Sequence, residues 1–394
     1  MTIYIIMILI FLILAPYVIY PAVMLALGYI LPVVNQERSG ETPYVTIIIP
    51  TYNEEKVIAE RFKNLEALSY PRNMLQIIVI DSGSKDKTTV LARELAKSSS
   101  LDFLVLKQDE RKGKANAVNF AIQHAKGEII IVSDANALFE KNSIEEIVKP
   151  FRNAEVGGAG GMFITLGNNT VGKGEELYWS IEDYIRQTES RIYSLTNFSG
   201  EFNAFRKGLG LVLDEKALSE DLDLTIQIIK RGYKVIYVPG AKVYEPSVEN
   251  TEDLIKQKKR RAVGALQVVF KHLDMITKPK LLIFNILFFF HRTLRLFTPI
   301  LSLLLLIPLC YLFFASGYRY KYEALGITAA VVVVASLITS LVFKKSLIRN
   351  LYYFLVLQYS YILAWIEFIT GKYKVTWEKT ESSRDLKNVM GRIK

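Results

Sequence analysis

Two side chains whose oxygen atoms can bind a metal ion, Asp134 and Asn136, stand two positions apart directly after a short apolar run. If that run is a β-strand, both side chains leave its end on the same side, because successive residues of an extended chain alternate. Ligand sets made only of oxygen suit Mg²⁺ or Mn²⁺, and either cation can bridge the two phosphates of a pyrophosphate. The pair therefore predicts a divalent metal site.

Polar residues also follow other apolar runs. A carboxylate there can accept a hydrogen bond from the N–H of a base, and lysine or arginine can neutralise phosphate. Turn formation and helix capping explain any one of these residues equally well, but their repetition after successive runs favours a ligand site. We therefore expect a nucleoside diphosphate to bind here. The residues are Thr51, Asn53 and Glu54 after the first run, Asp81 after the second, and Arg111 and Lys114 in a basic glycine turn.

The apolar runs alternate with helical patterns, which predicts an α/β domain with a mainly parallel sheet and helices on both faces. Ligands of such a sheet bind at the carboxyl ends of its strands, where the polar residues described above belong. No Gly-x-Gly-x-x-Gly follows the first run, which disfavours a dinucleotide dehydrogenase. The predicted strands are 45–49, 75–80, 103–106 and 128–132, and the predicted helices between them are 54–68, 85–98 and 115–125.

Composition narrows the class of protein. Of 394 residues, 51% are apolar and 22% are charged, so disorder and an all-membrane protein are both excluded. The single cysteine, Cys310, excludes a disulfide framework and a cysteine zinc site. A net charge of +10 suits nucleic acid, an anionic membrane surface or phosphate-bearing substrates. The long apolar runs favour the last two, and we expect no nucleic-acid partner.

Both ends of the chain are expected to contact a membrane, with 1–35 as an N-terminal anchor. Positions 3–34 contain no charged side chain and exceed the roughly 20 apolar residues that a helix needs to cross a bilayer. The chain becomes apolar again between 281 and 370. There we expect an interfacial helix at 281–290, and segments of crossing length at 296–316, 323–343 and 347–370.

Basic residues predict which side of the membrane each part occupies. The tail at 371–394 and the cluster at 344–349 are basic, and the positive-inside rule places both in the cytoplasm. Three crossings after a cytoplasmic domain at 36–280 would place the tail outside. We therefore expect 347–370, which carries Glu367, to lie at the membrane interface, and the number of C-terminal crossings stays open.

These features resemble the membrane-embedded family 2 glycosyltransferases, the group that includes the cellulose, hyaluronan and poly-N-acetylglucosamine synthases. The resemblance extends from the anchor to Trp377-Glu378-Lys379-Thr380 in the tail. It implies a GT-A-type glycosyltransferase domain at 36–280. It also implies inverting transfer of a sugar from a UDP-sugar to a saccharide or glycolipid acceptor at the cytoplasmic face of the cell membrane.

Two motifs carry the donor side of the resemblance. Asp134-Ala135-Asn136 resembles the family's Asp-x-Asp metal motif, which implies Mn²⁺ or Mg²⁺ as the cofactor. The Gln257-Lys258-Lys259-Arg260-Arg261 sequence resembles Gln-x-x-Arg-Trp, which lies near the donor pyrophosphate and the acceptor sugar. The nucleotide-sugar ligands implied are Thr51, Asn53, Glu54, Asp81, Arg111, Lys114, Asp134 and Arg260.

The part of the resemblance that concerns the acceptor depends on an acidic cluster. Ser219-Glu220-Asp221 resembles Thr-Glu-Asp, whose aspartate is the general base, and one such carboxylate suffices for inversion. A simpler reading has Ser219 capping a helix whose positive end the acids favour. That reading can hold for Glu220 and Asp223 even if Asp221 is catalytic. The acceptor contacts implied by the resemblance are Gly200, Glu201, Glu220, Gln257 and Arg261.

The chain departs from the family pattern at two positions. Asn136 replaces the second metal aspartate, so we expect weaker metal affinity in the free enzyme. Arg261 replaces the tryptophan on which the acceptor sugar stacks, and arginine lacks its broad apolar face. Two functions are therefore open: transfer of one sugar to a phospholipid, a diacylglycerol or a polyprenyl-phosphate lipid, and processive polysaccharide synthesis. The C-terminal apolar segments slightly favour polysaccharide synthesis, because they could line a path outward.

Two further classes of function fit the sequence less well. A membrane scaffold that binds nucleotide-sugar without transfer would account for both departures, but the presence of Asp221 and of the basic glycine turn argues against it. A channel or transporter is disfavoured because the apolar segments contain almost no ionisable residues.

Overall fold

The computed structural model describes residues 2–32, 41–166, 170–248, 250–315, 347–374 and 386. The predicted crossing at 323–343 and the Trp377–Thr380 sequence lie outside the described residues.

An eight-stranded sheet forms the centre of the described chain, in the order β3-β2-β1-β4-β7-β6-β8-β5. Strands β3, β2, β1 and β4 run parallel, whereas β7 is antiparallel to both of its neighbours. The strands are β1 (Val45–Thr51), β2 (Leu75–Ser82), β3 (Asp102–Gln108), β4 (Ile129–Ser133), β5 (Leu138–Phe139), β6 (Val156–Leu166), β7 (Phe202–Arg206) and β8 (Lys234–Pro246).

Helices cover both faces of the sheet. Strand β1 shows the reason, because Ile47 and Ile49 belong to the apolar cluster on one face while Ile48 belongs to the cluster on the other. The helices are α1 (Thr2–Leu14), α2 (Tyr20–Ile30), α3 (Ile58–Glu66), α4 (Thr88–Ser98), α5 (Lys114–Ile122), α6 (Ser143–Val148), α7 (Thr170–Ile192), α8 (Glu220–Lys230), α9 (Thr251–Lys271), α10 (Leu282–Phe288), α11 (Leu294–Ala315) and α12 (Leu347–Thr370).

The predicted parallel strands are confirmed with small shifts at their ends, and the predicted helices between them are confirmed as α3, α4 and α5. The strands after β4 were not predicted. Strand β6 contains Gly157, Gly158, Gly160 and Gly161, which weakens the β signal of its sequence. The packing requires glycine at position 161, because a Cβ there would lie 2.2 Å from the Phe202 ring.

Among the described residues, three helical runs are long and apolar enough to cross a membrane, judged by length and composition. They are Thr2–Ile30, Pro279–Leu312 and Tyr352–Thr370. The predicted interfacial helix at 281–290 is not separate from the segment that follows it. A π-helical turn at Phe289–Thr293 joins α10 to α11 without a break.

Helix α12 lies along α9 of the sheet domain over most of the length of α9. The hydroxyl oxygens of Thr251 and Tyr352 are 2.7 Å apart at the start of α9. At its other end, Phe270 stacks on Phe368 with 5.3 Å between ring centroids. Between them, Lys259 forms an ion pair of 2.5 Å with Glu367.

Candidate active site

A cavity of about 420 Å³ opens at the carboxyl ends of β1 and β4, between the sheet domain and helices α7, α8 and α9. This is the edge at which the sequence predicts a ligand site. Most of the predicted site residues line it, namely Thr51, Glu54, Arg111, Lys114, Asp134, Asn136, Gly200, Glu201, Glu220, Asp221, Gln257, Arg260 and Arg261.

The ammonium group of Lys114 lies among the acidic groups of the cavity. Its Nζ lies 2.7 Å from Asp134 Oδ1 and 3.2 Å from Glu220 Oε1, and it donates to the carbonyl oxygen of Gly200 at 3.2 Å. Burial alone would lower the pKa of Lys114, but Asp134 and Glu220 outweigh it and hold the pKa above its usual value. Lys114 is therefore a permanent cation that joins the predicted metal motif to Glu220, the neighbour of the predicted base.

Asp221 stands in the first turn of α8, beside Glu220 and facing the Gly200 loop. A Cβ on Gly200 would lie 3.5 Å from Asp221 Oδ2 and 3.9 Å from Lys114 Nζ. Burial and the neighbouring Glu220 raise the pKa of Asp221 to about 6, against the opposing effect of Lys114. A carboxylate with this pKa is ionised at neutral pH and is a stronger proton acceptor than an ordinary aspartate.

Close packing of α8 against α9 places Asp221 next to the basic residues of α9. A Cβ on Gly264 would lie 2.4 Å from Ser219 Oγ, so the approach of the two helices depends on that glycine. Ser219 occupies the N-cap position of α8, yet its side chain makes no capping bond. Its hydroxyl donates instead to the carbonyl oxygen of Arg261 at 3.4 Å. The expected cap is therefore absent at Ser219.

Asp223 has a structural position. Its carboxylate is fully buried and contacts His272 Nε2 at 2.7 Å, Lys271 Nζ at 2.8 Å and Gln227 Nε2 at 2.8 Å. These bonds join α8 to the end of α9. Asp223 therefore supports the fold, whereas Asp221 lines the cavity.

Arg261 also points into the cavity, where it forms an ion pair with Glu201. Its Nη2 lies 2.6 Å from Glu201 Oε1, and Ser199 Oγ donates to the other oxygen at 2.5 Å. Burial favours the neutral form of Glu201, but Arg261 outweighs this and holds the pKa of Glu201 below its usual value. The guanidinium carbon of Arg261 lies 5.8 Å from the centroid of the Trp179 ring.

Two predicted ligands lie just outside the cavity. Asp81 is buried and accepts hydrogen bonds from the Ser84 backbone at 3.2 Å and from Thr89 Oγ1 at 2.7 Å. Asn53 has a positive φ of 53° and accepts from the Lys85 N–H at 2.8 Å. Both side chains therefore hold the loop after β2 in place, and their contact with a base stays a prediction.

Sequence reasoning missed two residues near the predicted donor ligands. Tyr52 lines the cavity, and the Arg111 guanidinium carbon lies 3.9 Å above its ring. Arg61 is fully buried behind the metal motif, donates to Ser133 Oγ at 2.9 Å and lies 4.2 Å over the Phe139 ring. Tyr52 stands inside the motif at the end of β1 and could have been named, whereas nothing in the helical pattern around Arg61 marks it.

The predicted metal ligands lie together at the end of β4. Asn136 is buried, and Asp134 keeps 29% of its side-chain surface exposed at the cavity wall. Within the described ranges, no group of three or more His, Cys, Asp or Glu side chains could hold a metal ion. The donor set of one carboxylate and one amide oxygen suits a hard cation that takes its remaining ligands from phosphate and water.

The cavity also reaches the apolar helices. Its lining includes His291 and Arg292 from the π turn, Arg295 and Leu296 from α11, and Tyr361 from α12. His291 is fully buried between two carboxylates of α7, with Nδ1 2.6 Å from Glu189 Oε1 and Nε2 3.0 Å from Glu182 Oε2. The sequence predicts these basic residues at the end of an interfacial helix and does not indicate that they reach the site.

The mixed sheet with its site at the carboxyl ends of the strands is the GT-A fold of glycosyltransferases. A mannosyltransferase from Pyrobaculum calidifontis, solved with GDP-Man and Mn²⁺, superposes with a TM-score of 0.73 over 95% of this chain and 100% of the other, at 24% identity. The family description "Glycosyl transferase family 2" matches residues 46–209, and "Glycosyl transferase family group 2" matches 129–366, more than half of the chain. The protein therefore belongs to the family 2 group of glycosyltransferases.

Several curated relatives share the domain. A probable glycosyltransferase of Bacillus subtilis, YdaM, is 27% identical over 88% of both chains. A beta-monoglucosyldiacylglycerol synthase of Trichormus variabilis is 28% identical over 63% of this chain and 54% of its own length. A poly-beta-1,6-N-acetyl-D-glucosamine synthase of Staphylococcus aureus is 26% identical over 60% of this chain and 58% of its own length. The match therefore spans little more than half the length of the last two relatives.

Proposed function

We propose that the protein is an inverting glycosyltransferase that moves one sugar from a UDP-sugar to a lipid-borne acceptor at the cytoplasmic face of the membrane. The observation that carries this proposal is the position of Asp221. Its carboxylate and the Lys114 ammonium group both face Gly200, in the wall of a cavity that Asp134 also lines. A base, a cation and a predicted metal ligand thus share one site.

Asp221 acts as the general base. As the acceptor hydroxyl attacks the anomeric carbon, its proton passes to the Asp221 carboxylate, and the bond to the diphosphate breaks on the opposite face of the sugar. The raised pKa of Asp221, about 6, makes it a better proton acceptor without protonating it at pH 7. Glu220 and the buried position of Asp221 cause this increase.

Lys114 and Arg260 stabilise the departing diphosphate. Lys114 stays protonated because Asp134 and Glu220 surround it, and Arg260 lines the same cavity from α9. Asp134 and Asn136 would hold Mn²⁺ or Mg²⁺ together with the pyrophosphate, and the bound cation would neutralise charge on the leaving group. Tyr52 and Arg111 supply a stacked pair at the edge of the donor pocket.

The surroundings of Arg261 favour single transfer over processive synthesis. A growing polysaccharide needs an apolar ring face to hold it after each addition, and position 261 offers a guanidinium group engaged with Glu201. The centroid of the nearby Trp179 ring lies 5.8 Å from the guanidinium carbon of Arg261 and 5.0 Å from that of Arg186. Two guanidinium groups therefore adjoin this ring. The diacylglycerol acceptor in the name of the Trichormus relative is in keeping with a lipid acceptor.

Polysaccharide synthesis is the second candidate. It is supported by the family resemblance and by the name of the Staphylococcus relative, a polymer synthase. The apolar helices that continue the cavity could line a path outward.

We further propose that α12 lies on the membrane surface. Its inner face packs along α9, and its outer face exposes large apolar side chains at alternating spacings of three and four residues, which is typical of a helix that lies in a membrane interface. The exposed residues are Tyr352, Leu355, Tyr359, Ile362, Ile366 and Ile369. This arrangement would leave the tail on the same side as the catalytic domain.

Incubation of the purified full-length protein with a panel of UDP-sugars and GDP-mannose, in the presence of membrane lipids, tests the function. We expect release of one nucleoside diphosphate and a single lipid-soluble product. A ladder of products would establish processive synthesis instead, and no sugar release with any donor would contradict the enzymatic proposal. Asp221→Asn is the matched inactive control.

A further inference from the structure

Three arginine side chains that line the cavity share Glu182 of α7 as an electrostatic partner. Arg186 comes from α7, Arg292 from the π turn and Arg295 from α11, and all three line the cavity. Arg186 and Arg295 are 2% and 7% exposed, so both are more than nine-tenths buried. We refer to these three residues as the arginine cluster.

The arginine cluster carries hydrogen-bond donors that no described residue accepts. Arg186 Nε, Arg295 Nε, and both Nε and Nη2 of Arg292 are buried without a hydrogen-bond partner in the described part of the chain. A buried donor without an acceptor is rare in folded proteins, and a guanidinium donor is more costly to leave unpaired than a neutral one. Four such donors on side chains that line one cavity could be satisfied by an anionic ligand.

The nearby carboxylates already have partners. Glu182 accepts from Arg295 through one oxygen, and its other oxygen faces His291 at 3.0 Å and Arg292 at 3.4 Å. Glu189 accepts from Tyr20 at 2.6 Å and from Thr196, in addition to its contact with His291. Asp183 accepts from the Tyr237 hydroxyl at 2.6 Å. These carboxylates therefore position the cluster without supplying acceptors for its remaining donors.

Apolar groups adjoin the cluster. Leu296 and Leu357 line the same cavity, and they belong to the candidate spans Pro279–Leu312 and Tyr352–Thr370. Arg292 and Arg295 stand in the first of these spans, where ionisable residues are costly and generally serve a site. The π turn that carries Arg292 is also a geometry found often at functional positions. A ligand here would have an anionic group beside an apolar chain.

We propose that this part of the cavity binds the phosphate group of a phosphate-bearing lipid acceptor. The arginine cluster would donate to the phosphate oxygens, and Leu296 and Leu357 would contact the first carbons of the lipid chain. This inference rests on the proposed function and narrows its acceptor class to lipid phosphates. The phosphate would anchor the acceptor at the arginine cluster, while a separate hydroxyl of the same acceptor accepts the sugar and gives its proton to Asp221.

Binding measured without any donor sugar tests this site. The full-length protein in a neutral detergent is titrated with farnesyl phosphate, with uncharged farnesol and with inorganic phosphate, and tryptophan fluorescence reports binding because Trp179 lies 5.0 Å from Arg186. We expect farnesyl phosphate to bind at least tenfold more tightly than either farnesol or inorganic phosphate. Arg186→Gln and Arg292→Gln should each weaken farnesyl phosphate binding by roughly tenfold, the loss of a charge-assisted hydrogen bond.

Arg231→Gln is the matched control, because Arg231 is exposed at the end of α8 and binds only locally, to the Gln227 carbonyl oxygen. Its affinity for farnesyl phosphate should equal that of the unaltered protein. If Arg292→Gln unfolds, Arg292→Lys replaces it and should retain charge-dependent binding while losing affinity. Equal binding of farnesol, equal binding of inorganic phosphate, or wild-type affinity in both glutamine variants would overturn the lipid-phosphate site.

The two proposals fail in different ways. Asp221→Asn should bind farnesyl phosphate normally while losing sugar transfer. Sugar transfer to neutral lipids with no farnesyl phosphate binding would refute the acceptor site and leave the proposed function standing. Farnesyl phosphate binding without any sugar transfer would refute the proposed function alone.

Discussion

Lys114 Nζ lies 2.7 Å from Asp134 Oδ1, and this contact joins two residues that belong to different strand-end motifs. The same ammonium group reaches Glu220 at 3.2 Å, next to Asp221. The charge on Lys114 therefore links the side of the cavity where a donor diphosphate would bind to the side where an acceptor would be deprotonated.

Asp221→Asn keeps the size of the side chain and removes its basicity. We expect turnover to fall by about a hundredfold or more, because general-base catalysis contributes roughly that factor, while donor affinity persists. Sugar transfer and donor binding are measured separately on the purified protein. Near-normal transfer by Asp221→Asn would show that another group is the base.

The pKa of Asp221 also predicts opposite effects on activity and stability. Turnover should fall as the pH drops through about 6, because protonated Asp221 cannot accept a proton, and Asp221→Asn should lose this dependence. An aspartate titrates near 3.9 in an unfolded chain, so the folded state binds the proton more tightly and loses stability as the pH rises from about 4 to about 6. We therefore expect Asp221→Asn to melt at a higher temperature than the unaltered protein at pH 7.

Asp223→Asn is the neighbouring structural variant. Burial would raise the pKa of the Asp223 carboxyl, but its hydrogen bonds, first of all the one with His272, outweigh burial and lower the pKa to about 2. The ionised carboxyl therefore stabilises the fold above about pH 4, and this stabilisation is lost as the pH falls toward 2. We expect Asp223→Asn to reduce the free energy of unfolding at pH 7 by on the order of 3 kcal/mol, as for a broken buried ion pair. Chemical denaturation measures this loss, and the folded enzyme should keep its turnover. A variant that is stable but inactive would contradict the structural role.

The predicted metal site can be tested by removal and by substitution. Because Asp134 supplies the only full charge of the Asp134–Asn136 pair, transfer should stop in excess chelator and return with Mn²⁺ or Mg²⁺. Asn136→Asp should tighten metal binding in the absence of nucleotide, since it adds a second carboxylate. Calorimetric titration with Mn²⁺ measures this change, and Asn142→Asp, at the start of α6, is a control outside the site. Transfer that persists in excess chelator would remove the metal from the mechanism.

Arg261 should control the length of the product. Arg261→Trp restores a ring face to the cavity and should shift products toward longer chains, whereas Arg261→Ala should raise the KM for the acceptor. Because Arg261 lies 2.6 Å from Glu201, removal of the arginine leaves a buried carboxylate without its cation. Arg261→Ala should therefore lower stability, and adding Glu201→Gln should recover part of the loss. Unchanged product length and KM in both single variants would show that Arg261 takes no part in acceptor binding.

The position of α12 can be tested by cysteine labelling. In a Cys310→Ser background, Lys372→Cys at the end of α12 and Lys85→Cys in the sheet domain are each treated with a membrane-impermeant maleimide in sealed vesicles. If α12 lies on the membrane surface, both cysteines should label from the same side. Labelling from opposite sides would show that α12 crosses the membrane.

The local parts of this structure could be predicted from the sequence. The β-branched runs that became β1, β2 and β4 are buried on both faces, so their apolar character is continuous, whereas β3 is a half-buried edge strand. Polar turns separate the four runs. Parallel strands present their carboxyl ends at one edge, and for this reason Asp134 and Lys114 were expected at the same site. The apolar ends of the chain were also evident from composition alone.

The contacts between residues far apart in the chain could not be predicted from the sequence. Glu201 and Arg261 are 60 positions apart, and their ion pair joins the loop before β7 to α9. Arg292 and Arg295 follow an apolar run that predicts a membrane surface, yet the π turn and the carboxylate of Glu182 on α7 direct them into the cavity. Spacing along a chain specifies neighbours within one helix or strand, whereas contacts between elements depend on how whole faces pack, and no single segment of the sequence contains that information.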